Sequence, residues 1–200
     1  SVGSTMQITS AMKMVSAAKL KRAQDAIIQM RPYANKLTEL LVNLSASIDS
    51  SEGGGFSSER DVKSVLLVTI TSNRGLCGGF NANIIKSAVS LINDDFKEKN
   101  VSLISIGKKS SEFFKKNGYN LINSYDDIFS DLTYDKTSLI SESIMSEFLS
   151  GSYDKVVLVY NQFKNAATQN VMNENYLPVE APSDNDVVIG LGTKVWHFSH

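Results

Sequence analysis

Apolar and small side chains recur at helical spacing through the first 48 residues. The positions are Met12, Val15, Ala18, Ala23, Ala26, Met30, Ala34, Leu37, Leu41, Leu44 and Ile48. Steps of three to five residues average close to the period of an α-helix. Pro32 is expected to kink the helix without ending it. The pattern predicts one helix over residues 1–48, on the order of 70 Å long at the α-helical rise.

A helix of this length cannot bury its apolar stripe against the rest of the chain, because the remaining residues suffice only for an ordinary domain. The stripe needs a second long helix, as in a coiled coil. No other segment of the sequence predicts a helix of comparable length. We therefore expect the partner helix to lie on another polypeptide or on a segment outside this sequence.

The hydrophobic pattern changes after a polar, glycine-rich stretch. Residues 49–60, which include Gly53, Gly54 and Gly55, are predicted to be a flexible linker. Beyond them, apolar β-branched runs predict buried strands at Val62–Thr71, Val101–Ile106 and Tyr153–Tyr160. Helices are predicted at 81–99, 110–117 and 137–149.

The order of these elements predicts an α/β fold. Residues 161–177 are predicted to form an antiparallel pair around the turn 164–167. Residues 61–182 are therefore expected to form a Rossmann-like open sheet with an antiparallel edge, in the order β-α-β-α-α-β. Residues 183–200 receive no assignment.

Charge is distributed unevenly along the chain. Residues 1–36 carry six basic side chains against the single acid Asp25, a net charge of +5, so the rest carries −6 in a total of −1. The split indicates an acidic partner, and the alternative is a helix face solvated by lysines. A nucleic-acid partner is not expected, because no aromatic residue is interleaved with the basic residues of 13–22 and the pI is about 6.1. The methionines favour apolar packing against protein.

The glycine-rich stretch Ser72–Phe80 follows a predicted strand, as phosphate-binding loops do. Its glycines, at 75, 78 and 79, fit neither the dinucleotide fingerprint nor the phosphate loop. A tight turn that requires glycine dihedrals is the favoured interpretation, and a stand-alone nucleotide-binding or protein-interaction module is the alternative. The single cysteine, Cys77, has no histidine nearby and is expected to be a buried or half-buried thiol. We expect no catalytic site, metal or cofactor.

Two segments together resemble a known family. Gln7–Gln24 (QITSAMKMVSAAKLKRAQ) is similar to the N-terminal helix of the gamma subunit of the rotary F-type ATP synthase. Ser72–Asn83 (SNRGLCGGFNAN) resembles the glycine-rich turn of that family, which typically reads S-D-R-G-L-C-G-G. Arg31–Ala34 and Tyr160–Phe163 also match in kind and order. The resemblance covers about residues 1–180.

The resemblance implies the central rotor shaft of a proton-translocating ATP synthase, which carries torque and performs no chemistry. The N-terminal helix would be half of an antiparallel coiled coil inside the ring of alpha and beta subunits. The α/β domain would contact the epsilon subunit and the c-subunit ring. Location is implied to be peripheral on the energy-transducing membrane, on the cytoplasmic face of the inner membrane in bacteria. Contact with the membrane would come only through the complex.

The resemblance also implies which residues meet the catalytic ring. The candidates for contact between rotor and stator are Met12, Lys13, Lys19, Lys21, Arg22 and Arg74. The family's C-terminal helix and about a dozen N-terminal residues are expected to be missing from this sequence. The final residues, GLGTKVWHFSH, do not resemble the family.

Overall fold

The computed structural model describes residues 2–47, 55–57, 60–165 and 167–179. Two compact units divide the chain, one built on the N-terminal helix and one on a β-sheet. The predicted N-terminal helix is confirmed: α1 spans Val2–Ser47 and continues through Pro32. Because α1 has 46 residues, it is about 69 Å long at the α-helical rise.

The second unit contains a five-stranded sheet. Its strands are β1 Ser64–Ile70, β2 Asn100–Ile106, β3 Leu121–Tyr125, β4 Lys155–Phe163 and β5 Gln169–Leu177. Its helices are α2 Phe80–Ser90, which continues as a π-helical turn Leu91–Asp95, α3 Lys108–Lys116 and α4 Tyr134–Leu149, with a 3-10 turn at Ile128–Ser130. The strand order is β3-β2-β1-β4-β5. All neighbours pair in parallel except β4 and β5, so the predicted open sheet with an antiparallel edge is confirmed.

Both faces of the sheet are covered, which explains the continuous apolar runs in its central strands. On one face, Leu66 and Val68 of β1 pack with Ile144 and Phe148 of α4. On the other face, Leu67 of β1 packs in a cluster with residues of α2 and α3, among them Ile84, Ala88 and Phe114. Alternate residues of β1 thus enter different cores, as the two-residue period of a strand requires.

The predicted order of elements is wrong at one position, because β3 was not expected. This strand, LINSY, lies at the edge of the sheet and pairs only with β2. Its three central residues are exposed, so the strand lacks the apolar run that marks the buried strands. The predicted helices also shift at their ends: α2 gives way to the π-turn after Ser90, and α4 begins at Tyr134 because Thr133 accepts a hydrogen bond from Lys136 N.

Most of the predicted linker, and all of the unassigned tail 183–200, lie outside the described residues. The described part of residues 49–60 packs on α4. The ring of Phe56 stacks on that of Phe148 at 6.5 Å between centroids. The Arg60 guanidinium lies 4.9 Å from the Phe148 ring centroid, and Arg60 Nη1 donates to the carbonyl O of Phe148 at 3.1 Å. The domain boundaries given above remain predictions.

One carboxylate joins the amino ends of β1 and β4. Asp154 Oδ2 accepts from the backbone N–H groups of Lys63 and Ser64, both at 2.9 Å. The hydrogen bond from Ser64 N, followed by that from Lys63 N, lowers the pKa of Asp154 below its usual value. Because the folded pKa lies below the unfolded one, this group stabilises the fold above the unfolded pKa of about 4 and less so as pH falls.

We predict that Asp154→Asn flattens the pH dependence of stability between about pH 6 and pH 3. The parent chain loses free energy of unfolding over this range as Asp154 takes up a proton, and the variant lacks that loss. Urea unfolding at several pH values measures the difference. Asp61→Asn is the control, since it removes the same charge from an exposed carboxylate whose ion pair to Lys63 is 3.9 Å long. Identical pH profiles for the two variants would contradict the assignment.

Gly107, between β2 and α3, shows how closely the loops approach each other. Its φ is +104°, and a Cβ placed there would overlap the carbonyl O of Thr71. We predict that Gly107→Ala lowers the free energy of unfolding by about 3 kcal/mol or more, since strain and overlap add. Gly118→Ala is the control, at φ +72° with nothing within 4 Å of the added Cβ, and should cost about 1 kcal/mol. Equal losses in urea unfolding would show that overlap is unimportant.

Candidate functional site

The glycine-rich loop between β1 and α2 is an exposed segment of the sheet unit. Residues 74–79 are all exposed. Leu76 is fully exposed and has a φ of +58°, a conformation that residues with a side chain seldom adopt. Arg74 has no hydrogen bond or ion pair from its side chain within the part of the chain that the structure describes. The loop thus presents a cation and an apolar side chain outward.

A single buried carboxamide organises the interior of this loop. Asn81, in the first turn of α2, is only 8% exposed. Its Oδ1 accepts from Ser72 N at 2.9 Å, and its Nδ2 donates to the carbonyl O of Arg74 at 3.0 Å. Asn81 Nδ2 also lies 3.2 Å from Cys77 Sγ. These bonds draw both ends of the loop onto the start of α2.

The other side of the loop covers the N-terminus of α3. Lys108 N donates to Asn73 Oδ1 at 2.8 Å, and Lys109 N donates to the carbonyl O of Ser72 at 3.2 Å. Ser110 N donates to Thr71 Oγ1 at 3.0 Å. The first three N–H groups of a helix have no partner within the helix. Here all three are satisfied by consecutive residues of the loop.

This arrangement leaves no anion site at the N-terminus of α3. A helix N-terminus binds anions through its unpaired N–H groups, and those of α3 are taken. Open α/β sheets bind ligands at the topological switch point, which in this sheet lies between β1 and β4. In this chain, other parts of the fold extend over that point. There β4 continues beyond the end of β1 in its pairing with β5, and Asn161 Nδ2 donates to the carbonyl O of Phe80 at 2.7 Å.

A groove of about 410 Å³ opens beside the loop, between α2 and α3. Its lining includes the apolar side chains of Leu76, Ile85 and Phe113 and the charged side chains of Lys109, Glu112 and Lys116. Lys109 Nζ donates to Glu112 Oε2 at 2.9 Å, and this hydrogen bond contributes most to lowering the pKa of Glu112. The groove is therefore apolar inside and basic at its rim.

Two expectations about this loop need correction or addition. Cys77 is exposed, so the prediction of a buried or half-buried thiol is wrong. The residues 75–78 around it protrude from the sheet, which leaves the thiol uncovered. Asn81 was not singled out from the sequence. A polar side chain two residues after a Gly-Gly pair, at a helix start, is the signal that could have found it.

The five candidates on α1 are all exposed, Met12 by 66%, but they do not form one surface. At 100° per residue, Met12 and Lys19 lie within about 20° of each other around the helix, and Arg22 is about 80° from Met12. Lys13 and Lys21 lie on the other side. The helix therefore brings together Met12, Lys19 and Arg22 and separates them from the remaining two. The sixth candidate, Arg74, belongs to the other unit.

Comparison with known proteins is decisive for the family. A family model described as ATP synthase matches residues 1–197. The ATP synthase gamma chain of Christiangramia forsetii is 53% identical over 180 residues, which cover 90% of this chain. That of Flavobacterium johnsoniae is 52% identical over 199 residues, which cover all of it. This chain belongs to the ATP synthase gamma chain family.

A solved structure agrees with this assignment. The central stalk and c-ring of Tetrahymena thermophila mitochondrial ATP synthase contain a chain that aligns at a TM-score of 0.67 and 29% identity. The alignment covers 86% of this gamma-family chain and 72% of that chain. The chain spans 63% of the length of the Christiangramia relative and 68% of the Flavobacterium johnsoniae relative.

No group of three or more His, Cys, Asp or Glu side chains within the described residues could hold a metal ion. None of their helices combines the length and the apolar character needed to cross a bilayer.

Substitutions of Asn73 test whether the loop holds the N-terminus of α3. The family motif typically has aspartate at this position. Asn73 Oδ1 accepts from Lys108 N, and Asn73 Nδ2 donates to the carbonyl O of Asp126. Asn73→Ala removes both bonds and is expected to cost about 1–3 kcal/mol of stability. Asn73→Asp removes only the donated bond, and its carboxylate still accepts from the helix N-terminus.

Amide hydrogen exchange distinguishes the two variants. We expect the Lys108 amide to exchange faster in Asn73→Ala and to remain protected in Asn73→Asp. Asn123→Ala serves as a control because its carboxamide donates to Tyr125 Oη, away from α3. An unchanged Lys108 amide in Asn73→Ala would show that the loop does not hold the helix.

Proposed function

We propose that this chain is the central rotor-shaft subunit of a proton-translocating ATP synthase. In this role it transmits torque between the membrane ring and the catalytic beta subunits and performs no chemistry itself. The observation that carries the proposal is α1, a 46-residue helix with exposed apolar and basic side chains, in a chain of the gamma family.

The exposed apolar side chains of α1 support a coiled coil. Met30, Tyr33, Leu37 and Leu40, in the C-terminal half of α1, are each at least 43% exposed. At 100° per residue they fall within a sector of about 80° around the helix. Such a stripe is stabilised by burial against a second long helix. We propose that this partner is the segment by which the curated relatives exceed the present sequence.

The basic side chains of α1 support a sliding contact with the stator. We propose that Met12, Lys19 and Arg22 meet acidic segments of the alpha and beta ring on one face of the shaft. We propose that Lys13 and Lys21 meet them on the other face as the shaft turns. Exposed ion pairs contribute only about 0–1 kcal/mol each. Contacts of this strength guide a rotating helix without fixing it at one angle.

The sheet unit supplies the other proposed contacts. Arg74 and the groove beside it combine cationic groups with apolar surface, which suits an acidic, partly apolar protein surface such as one on beta. We propose that further surfaces of this unit contact the epsilon subunit and the c-subunit ring. We propose that the chain attaches to the membrane only through the complex. In bacteria we propose that it lies on the cytoplasmic face of the inner membrane.

Reconstitution tests the proposal. This chain is mixed with alpha and beta subunits of Flavobacterium johnsoniae, with the C-terminal third of that organism's gamma chain supplied as a separate peptide. We expect one complex on size exclusion, weakened by added salt because exposed charges are screened. A double variant, Lys19→Glu with Arg22→Glu, is expected to weaken binding on the order of tenfold at low salt, as attraction becomes repulsion.

A matched double variant controls for total charge. Lys97→Glu with Lys99→Glu makes the same change at exposed positions of the sheet unit that no proposed contact uses. It should leave the affinity unchanged. No complex with or without the added peptide would refute the shaft role. Equal weakening by both double variants would refute the specific contact of α1.

A further inference from the structure

The backbone of Arg74 is held more firmly than its exposed position requires. Its carbonyl O accepts from Ser72 Oγ at 2.7 Å and from Asn81 Nδ2 at 3.0 Å. Cys77 Sγ lies 3.8 Å from the same oxygen. Most exposed loop carbonyls bind water instead. Here one exposed residue is tied by two side chains to the ends of its own loop.

The buried member of this pair of donors is Asn81. Its carboxamide is fully engaged, because Oδ1 accepts from Ser72 N while Nδ2 donates to the carbonyl O of Arg74 and to Ser72 Oγ. A neutral carboxamide can donate and accept at once, which neither a carboxylate nor an alkyl side chain can do. Asn81 therefore connects Ser72 to Arg74, two residues further along the loop.

The rest of the loop offers little else to fix Arg74. The residue that follows it, Gly75, has no atom within 4 Å of the position a Cβ would take, and the same holds for Gly78. Glycine leaves the unfolded backbone the most freedom. The Arg74 side chain makes no hydrogen bond or ion pair within the described residues. Asn81 and Ser72 therefore fix the backbone from which this side chain projects.

We propose that Asn81 is a positioning residue that presents the Arg74 guanidinium to an acidic group of the stator. It acts by holding the Arg74 carbonyl, so the loop need not become ordered when the complex forms. Loss of flexibility before binding raises affinity because the entropic cost is no longer incurred at the contact. This inference rests on the proposed shaft function and on the proposed contact at Arg74.

A double-mutant cycle separates positioning from a purely structural role. The variants are Arg74→Ala, Asn81→Ala and both together, each in the reconstituted complex with alpha and beta subunits. If Asn81 acts through Arg74, removing it has no further effect once the guanidinium is gone. A structural role would lower affinity independently of Arg74, and the two effects would multiply.

We expect Arg74→Ala to weaken the complex roughly two- to fivefold at low salt, as for one exposed ion pair. Asn81→Ala should weaken it by a similar factor and reduce the salt dependence of affinity to that of Arg74→Ala. The double variant should match the single ones. Asn83→Ala is the control, on the same helix, with an exposed side chain that makes no hydrogen bond within the described residues, and should behave as the parent.

Ser72→Ala is the second variant, for the case in which Asn81→Ala lowers the melting temperature enough to prevent assembly. It removes the other bond to the Arg74 carbonyl, together with the bond between Ser72 Oγ and Asn81 Nδ2, and leaves the bond from Asn81 to the Arg74 carbonyl in place. It should weaken the complex in the same Arg74-dependent way. Multiplying effects of Asn81→Ala and Arg74→Ala would overturn the proposal. So would an effect of Arg74→Ala with none from either Asn81→Ala or Ser72→Ala.

The outcomes also separate this inference from the function on which it rests. A complex that forms but is indifferent to Arg74→Ala refutes the contact at Arg74, and with it the positioning role, while the shaft function stands. Failure of the parent chain to form any complex refutes the shaft function itself.

Discussion

The seating of the β1–α2 loop on the N-terminus of α3 is the constraint on which the sheet unit depends. Three consecutive N–H groups of α3 donate to Thr71, Ser72 and Asn73, so the helix and the loop fix each other. The approach is so close that only glycine fits at residue 107. Helix N-termini in other proteins bind phosphate through their free N–H groups. The N-terminus of α3 is instead joined to the loop, and this joint lies within the sheet unit.

That joint removes an anion site and adds stiffness. Its polar groups bond to one another, so the first three N–H groups of α3 are not available to a ligand. A subunit that carries torque needs a unit whose loops keep their conformation when force is applied. Hydrogen bonds satisfied within the fold, rather than by water or ligand, provide that rigidity. In the proposed shaft role the Rossmann-like sheet is a mechanical scaffold, which agrees with the principle that a fold does not dictate a function.

The two units combine opposite kinds of surface. On the sheet, apolar side chains are buried in two cores, one on each face. On α1, apolar side chains such as Met12 and Met30 are exposed beside lysines. The first pattern gives a stable body, and the second fits the partner helix and the ring proposed for it. The proposed rotor requires both, because its body must stay rigid while its shaft makes many weak contacts in succession.

Much of this was determined by the sequence alone. Periodicity predicted α1, and apolar β-branched runs predicted β1, β2 and β4, because burial dictates residue type along a helix or strand. Two motifs predicted the family.

Tertiary structure alone decided the rest. The edge strand β3 has mixed polarity because only one side of it is paired, so its sequence carries no clear signal. The roles of Asn73 and Asn81 depend on residues up to 53 positions away in the chain, Asp126 among them, which no local pattern encodes. The exposure of Cys77 was likewise set by how the loop packs.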